Sequence, residues 1–286
     1  MYSVIPNRSN PTAILFVVDQ SGSMQDKMSK TGNTKAEQVA TVINKMFAEL
    51  ITKARKQDGV RHYYDVGVIG YGGKGVYNAL KGPLANQILN SIQDISANPV
   101  RIEERMNSIV TATGDLFEIP ESFPIWFDPV ASGGTPMNAA MTLAAETIAP
   151  WCDEHPNSFP PVVIHITDGE YNDSDPSKIS EIIRSFTTND GNVLLCNLHI
   201  SSTSADSIAF PNDSGLLPNE FAKALFEMSS IIPGSMHQNV REILGQTQLT
   251  SETRFFTFNG NEVDIVKFLR VGTQGTQPRL LTYEGR

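Results

Sequence analysis

Three short stretches of this chain collect oxygen donors at intervals that suit one cation. The first is DQSGS, with Asp19, Ser21 and Ser23. The second is SGGTPM, with Thr135 just ahead of an Ala-rich segment, and the third is ITDGE, with Asp168. Together they offer two carboxylates and three hydroxyls, with neither His nor Cys among them. Donors this hard suit Mg²⁺ or Mn²⁺ in an octahedral shell, with Ca²⁺ as a further candidate, better than zinc. In an extended turn, side chains two residues apart point the same way, which predicts that residues 19, 21 and 23 reach one ion. All three stretches are rich in Gly, which lets the chain turn in tightly.

The elements that must position these donors are visible as periodicities. Ala13 to Val18 is an unbroken apolar run ending in Asp19, as expected of a strand buried on both faces. Residues 161–169, PVVIHITDG, read as a second strand that likewise runs into a carboxylate, Asp168. Between 35 and 57, Val39, Ile43, Met46, Phe47, Leu50 and Ile51 fall at helical spacing, before a basic last turn suited to the helix dipole. Further strands are expected at 63–73, 193–201 and 253–260, and helices at 138–151, 176–187, 219–232 and 261–272. The 176–187 helix is opened by Asp175 and Pro176, a cap and first-turn pair. This alternation predicts an α/β, Rossmann-like doubly wound fold: a mostly parallel sheet of about six strands, with helices on both faces and an antiparallel strand allowed at one edge. In such sheets ligands bind beyond the carboxyl ends of the strands, where the three donor stretches fall. The reading is one domain over 1–286, with its core at about 12–272 and a loose tail. Residues 74–134 are long for a plain connection, so an insertion with short strands is expected there, with a short helix at 87–95.

DQSGSM, GGTPM and ITDGE together resemble the metal-ion-dependent adhesion site of the von Willebrand factor type A family, whose pattern is DxSxS, then a threonine, then an aspartate. Asp19, Ser21, Ser23, Thr135 and Asp168 fill the five positions in order. The resemblance spans about residues 12–270. It implies that Ser21 and Ser23 ligate the ion directly, that Thr135 does so directly or through water, and that Asp19 and Asp168 act largely through water and by orienting the serines. It further implies a metal left electrophilic by neutral ligands, open to an Asp or Glu carboxylate from a protein partner. The last helix, 261–272, would then be the one that shifts with coordination. The closest family setting in kind is the intracellular bacterial one, some of whose members accompany tellurium-resistance and stress operons, or kinase and phosphatase partners.

Met24, Tyr71, Glu170 and Asp173 are placed on a partner-binding rim of the metal face; for Met24 and Tyr71, as for Trp126 and Phe127, a place in the core is the equal alternative. Glu170, Asp173 and Asp175 are read as a solvated acidic loop, or alternatively as a second cation site. His165 and His199 lie in strand patterns and are expected to be packed and hydrogen-bonded.

Other chemistries fit less well. GYGGKG at 70–75 lacks P-loop spacing, since Lys74 is followed by Gly75. An aspartyl phosphatase needs a second carboxylate two residues after the first, where Ser21 stands. No GxSxG elbow is present. Metal-assisted hydrolysis therefore remains the enzymatic alternative to a non-enzymatic binding module, beside a structural role in an assembly. A net charge of -9 argues against general nucleic-acid binding. Two cysteines, Cys152 and Cys196, read as reduced thiols. The first residues lack a signal-peptide pattern and no run approaches a membrane span, so a cytoplasmic protein without membrane contact is expected.

Overall fold

The computed structural model describes residues 1–28, 32–110, 116–200, 206–245, 249–260 and 262–274. The chain runs β1 (Thr12–Gln20), α1 (Lys35–Ala54), β2 (Tyr64–Gly72), β3 (Gly75–Asn78), β4 (Asn90–Ser91), α2 (Ile92–Ala97), β5 (Arg101–Val110), β6 (Leu116–Ile125) and α3 (Met137–Glu154). It continues with β7 (Val162–Thr167), α4 (Ser177–Ser185), β8 (Leu194–Ile200), β9 (Ile208–Ala209), α5 (Glu220–Met228), α6 (His237–Leu244), β10 (Phe256–Gly260) and α7 (Glu262–Gln274). The expected tail beyond 274 lies outside the described residues.

The central sheet has the order β9-β10-β8-β7-β1-β2-β3, with β4 also on β2. The pairs β10–β8, β8–β7, β7–β1 and β1–β2 are parallel. Antiparallel strands stand at both margins: β9 on β10, and β3 and β4 on β2. The expectation of about six strands with one antiparallel edge is therefore corrected to eight strands. β3 and β4 are short strands of the kind expected within 74–134, whereas β9, at two residues, is too short to carry a period of its own.

Strand β1 is buried throughout because both its faces are covered. Ile14, Phe16 and Val18 pack with Ile43, Phe47 and Leu50 of α1 and with Ile265 and Phe268 of α7. Ala13, Leu15 and Val17 pack with Ala140, Met141 and Ala144 of α3 and with residues of α4 and α5. The two-residue period of the strand sorts its side chains onto the two helical layers. Helix α1 starts at a capping box: the Thr34 hydroxyl accepts from the Glu37 N–H, and the Glu37 carboxylate accepts from the Thr34 N–H at 2.8 Å. It stops at Ala54, short of the expected residue 57, because Arg55 turns extended into a two-residue hairpin with Gly59–Val60.

In the 74–134 stretch, residues 87–95 are not one helix; Asn90–Ser91 joins the sheet and Ser91 caps α2. Strands β5 and β6 form a separate two-stranded ribbon. Its exit is clamped to α1 by the buried Asn44, whose side chain accepts from the Trp126 and Phe127 N–H groups and donates to the Ala40 and Phe127 carbonyls. The helix expected at 219–232 ends at Met228, and the strand expected from 253 begins at Phe256. Both cysteines are buried and free. Among the described residues, no helix is long and apolar enough to cross a membrane.

Candidate metal centre

Strand order reverses direction at β1. The chain steps from β1 to β2 on one side, and from β7 through β8 to β10 on the other. A crevice at the carboxyl ends of β1 and β7 follows from that topology. Asp19 is the penultimate residue of β1, and Asp168 directly follows β7.

Asp19 is fully buried. One carboxylate oxygen accepts from the Ser21 N–H at 2.8 Å and the other from the Thr167 hydroxyl at 2.8 Å. Burial pushes its pKa up to about 6, against the opposing pull of the Ser21 and Thr167 hydrogen bonds. The Ser23 hydroxyl donates to Asp168 Oδ1 at 2.7 Å. Its single proton is thereby used, so in the 3.1 Å contact between the two serine hydroxyls Ser21 is the donor. Asp19, Ser21, Ser23 and Asp168 thus form one connected set. Ser23 is exposed, whereas the Asp168 side chain is fully covered, so Ser23 is the set's solvent-facing member.

The serines are brought together differently from the expectation. Gly22–Gln25 is a 3-10 turn, not an extended one, and its curl sets Ser21 and Ser23 side by side. The turn is held against the second donor loop by the Gly22 N–H donating to the Gly133 carbonyl at 2.9 Å. Ser132 donates its N–H to Gln20 O and accepts from the Gly73 N–H. Gly133 has a φ of 72°, and a Cβ there would collide with the Gly73 backbone. Thr135 is buried just before α3, and its carbonyl accepts from the Asn172 N–H at 3.1 Å. The bonds described for Thr135 run through its backbone, and its loop meets the serine turn at Gly133, two residues away.

The expected rim is corrected at two positions. Met24 is fully buried in the layer beneath α1, because the 3-10 turn directs it inward. Tyr71 is fully buried on the α3 side, where β2 alternation places it, and its hydroxyl lies 2.7 Å from His165 Nε2. Trp126 and Phe127 are core residues as well. Glu170 and Asp173 are exposed, but the Asp173 carboxylate accepts from the Asn138 and Ala139 N–H groups at the start of α3. Asp175 likewise accepts from the N–H and hydroxyl of Ser177, the first residue of α4, so two of the three loop acids are taken up by N–H groups in the first turn of a helix.

His165 and His199 are packed and bonded, as strand histidines commonly are. His165 Nδ1 lies 2.8 Å from Asn197 Oδ1. Because the Asn197 amide donates to the Ser229 hydroxyl and the Leu225 carbonyl, its oxygen must accept, which places the His165 proton on Nδ1. Tyr71 is then the donor to Nε2. Burial pushes the His165 pKa down to about 4, which keeps the ring neutral. His199 stacks on Phe258 and accepts from the Asn259 N–H.

One member of the cluster had no counterpart in the expected set. The Lys35 ammonium donates to Asp168 Oδ2 at 2.7 Å, to Asp26 Oδ2 at 3.2 Å and to the Ser23 carbonyl at 3.3 Å. Its side chain is 5% exposed. The T-K-A-E capping box could have marked Lys35 as the first residue of α1. Nothing in local sequence says that its side chain turns inward. Thr167 was missed for a similar reason: a strand threonine looks like any β-branched residue until its partner is known.

Among the described residues, no group of three or more His, Cys, Asp or Glu side chains is arranged to hold an ion. The cluster built here is instead one of carboxylates and hydroxyls. Such a donor set fits a hard divalent cation, with Ser21, Ser23 and Thr135 as the residues to hold it and Asp19 and Asp168 behind them.

No protein-family model and no curated protein sequence matches this chain. Among solved structures, it is similar to the crystal structure of the pilus adhesin SpaC from Lactobacillus rhamnosus GG, at 15% identity and a TM-score of 0.43, over 80% of this chain. The chain spans 28% of that protein's length.

Proposed function

We propose that this chain is a module of the von Willebrand factor type A kind that binds a protein partner through a divalent cation, Mg²⁺ or Mn²⁺. The observation that carries this reading is the connected set Asp19–Ser21–Ser23–Asp168 at the switch point of the parallel sheet. When bound, the cation supplies a Lewis-acidic centre for an outside carboxylate. The chain's own residues hold and tune that centre. Ser21 and Ser23 present neutral oxygens, so the direct ligands leave most of the ion's charge unneutralised. Asp19, buried and bonded to the Ser21 N–H and the Thr167 hydroxyl, orients the donors from behind them, and its charge acts on the ion from outside the direct ligands. The ligand class that completes such a centre is an Asp or Glu side chain of a partner protein.

The reading is tested by titrating Mn²⁺ into the wild type, Asp19→Ala and Asp168→Ala, followed by electron paramagnetic resonance. One site of micromolar affinity in the wild type, weakened at least about tenfold in each variant, is expected from the loss of orienting carboxylates. Partner capture in Mg²⁺ should then disappear in EDTA. An absence of specific Mn²⁺ binding by the folded wild type overturns the proposal. Robust turnover of phosphate or ester substrates, abolished by Asp19→Ala, would replace it with metal-assisted hydrolysis.

A further inference from the structure

Lys35 is a buried cation lodged against the donor set. Its ammonium closes one oxygen of Asp168 while Ser23 closes the other. A buried lysine is costly unless paired, and here its three donors have three oxygen partners, two of them carboxylate. The capping box fixes the start of α1, so the aliphatic stem of Lys35 is delivered to this place by the helix and not by a flexible loop.

The charge count is simple. Asp19 and Asp168 bring two negative charges, and Lys35 returns one positive. A divalent cation added to that set leaves it at +1, whereas without Lys35 it would be neutral. Asp26 is mostly exposed, its side chain 60% accessible, so solvent screens its share. The two consequences of a tethered positive charge have opposite signs. It repels the incoming cation, and it attracts the anion that the cation would recruit.

Resting on the metal-dependent reading above, we propose that Lys35 is a positioning and specificity-determining residue. It holds Asp168 turned toward Ser23 and trades metal affinity for electrophilicity, so that the loaded site selects an anionic carboxylate over neutral oxygen ligands.

The experiment uses Lys35→Gln, which keeps hydrogen-bond donors without charge, and Lys35→Arg, which keeps the charge. Mn²⁺ is titrated first, by electron paramagnetic resonance. Acetate, with acetamide as the neutral control, is then titrated into the Mn²⁺-loaded proteins, with folding checked by circular dichroism. Lys35→Gln is expected to bind Mn²⁺ about tenfold more tightly and acetate about tenfold more weakly, the size of one neighbouring charge. Lys35→Arg should stay within about threefold of wild type for both probes, because the charge is retained. A structural role alone would weaken both affinities together in Lys35→Gln, and that result overturns the proposal. So does equal weakening in Lys35→Arg and Lys35→Gln, since charge would then not be the operative property. If Lys35→Gln does not fold, a Lys35→Arg protein that departs from wild type in either titration also overturns it. Failure of the folded wild type to bind Mn²⁺ is a separate outcome: it removes the metal-dependent reading itself.

Discussion

Replacing Tyr71 with Phe removes one oxygen atom and should cost stability out of proportion to that change. The ring stays, so packing against Val17 and Ile69 is retained and no cavity opens. What is lost is the donor to His165 Nε2, 2.7 Å away. Both residues are fully buried, so water cannot take the hydroxyl's place. His165 cannot rescue the bond by moving its proton to Nε2, because Nδ1–H is held by Asn197 Oδ1, which in turn is fixed by Ser229 and Leu225. An unsatisfied buried acceptor costs about 1–3 kcal/mol, and the hydroxyl's own desolvation is recovered only in part, so about 2 kcal/mol is expected. With an unfolding entropy of about 2 cal/mol/K per residue, that is a fall in Tm of roughly 3 °C for a cooperative chain of this size. The assay is urea unfolding at pH 7.5, with an unchanged m-value as the sign of an intact native state. Nitrogen-15 shifts of the His165 ring provide a second readout, with Nε2 unprotonated in wild type. A loss below about 0.5 kcal/mol, or a proton found on Nε2, would refute the directional chain from Tyr71 to Ser229.

Two further outcomes follow from buried polar groups. Asn44→Ala should cost about 3 kcal/mol and speed hydrogen exchange at the Trp126 and Phe127 amides, because it strands two buried N–H groups at the ribbon exit; unchanged exchange there would refute the clamp. Acidification should destabilise the protein through its histidines. Burial holds His165 near pKa 4 against 6.5 in the unfolded chain, so between pH 6.5 and 4 the unfolded state binds the proton first and stability falls as pH falls. The full effect of this residue is about 3 kcal/mol. His199, also pushed down to about 4 by burial, acts in the same direction. Asp19, pushed up to about 6, opposes them between pH 6 and 3.8, since its native form takes the proton first. The loss of stability from pH 7 to 4, read from urea midpoints, should therefore be smaller in His165→Gln than in wild type. An equal loss in both would show that the buried ring does not titrate as described.

Local pattern determined a good deal of this protein. The unbroken apolar run ending in Asp19 predicted a strand buried on both faces, and the 161–169 stretch a strand ending at a carboxylate; both strands are found, each buried throughout. Helical spacing located α1, α3, α4, α5 and α7 to within a few residues, and the alternation of strands and helices predicted the parallel sheet. The donor residues Asp19, Ser21, Ser23 and Asp168 could be chosen before any coordinate was known, because strand ends at a switch point are where such a fold gathers side chains. Periodicity reports which face of an element is apolar; it does not report what that face meets. Tyr71 and Met24 were therefore placed on a rim when each is sealed inside a helical layer. For the same reason Lys35, a charged residue opening a helix, gave no sign that it reaches back 133 residues in sequence distance to Asp168. The marginal strand β9 escaped as well, since two residues carry no period. Hydrogen-bond direction in the buried chain, the 3-10 curl that joins the serines and the ammonium beside them were decided only by tertiary structure. Each depends on which distant group occupies the remaining lone pair or proton, and that is settled when the elements pack.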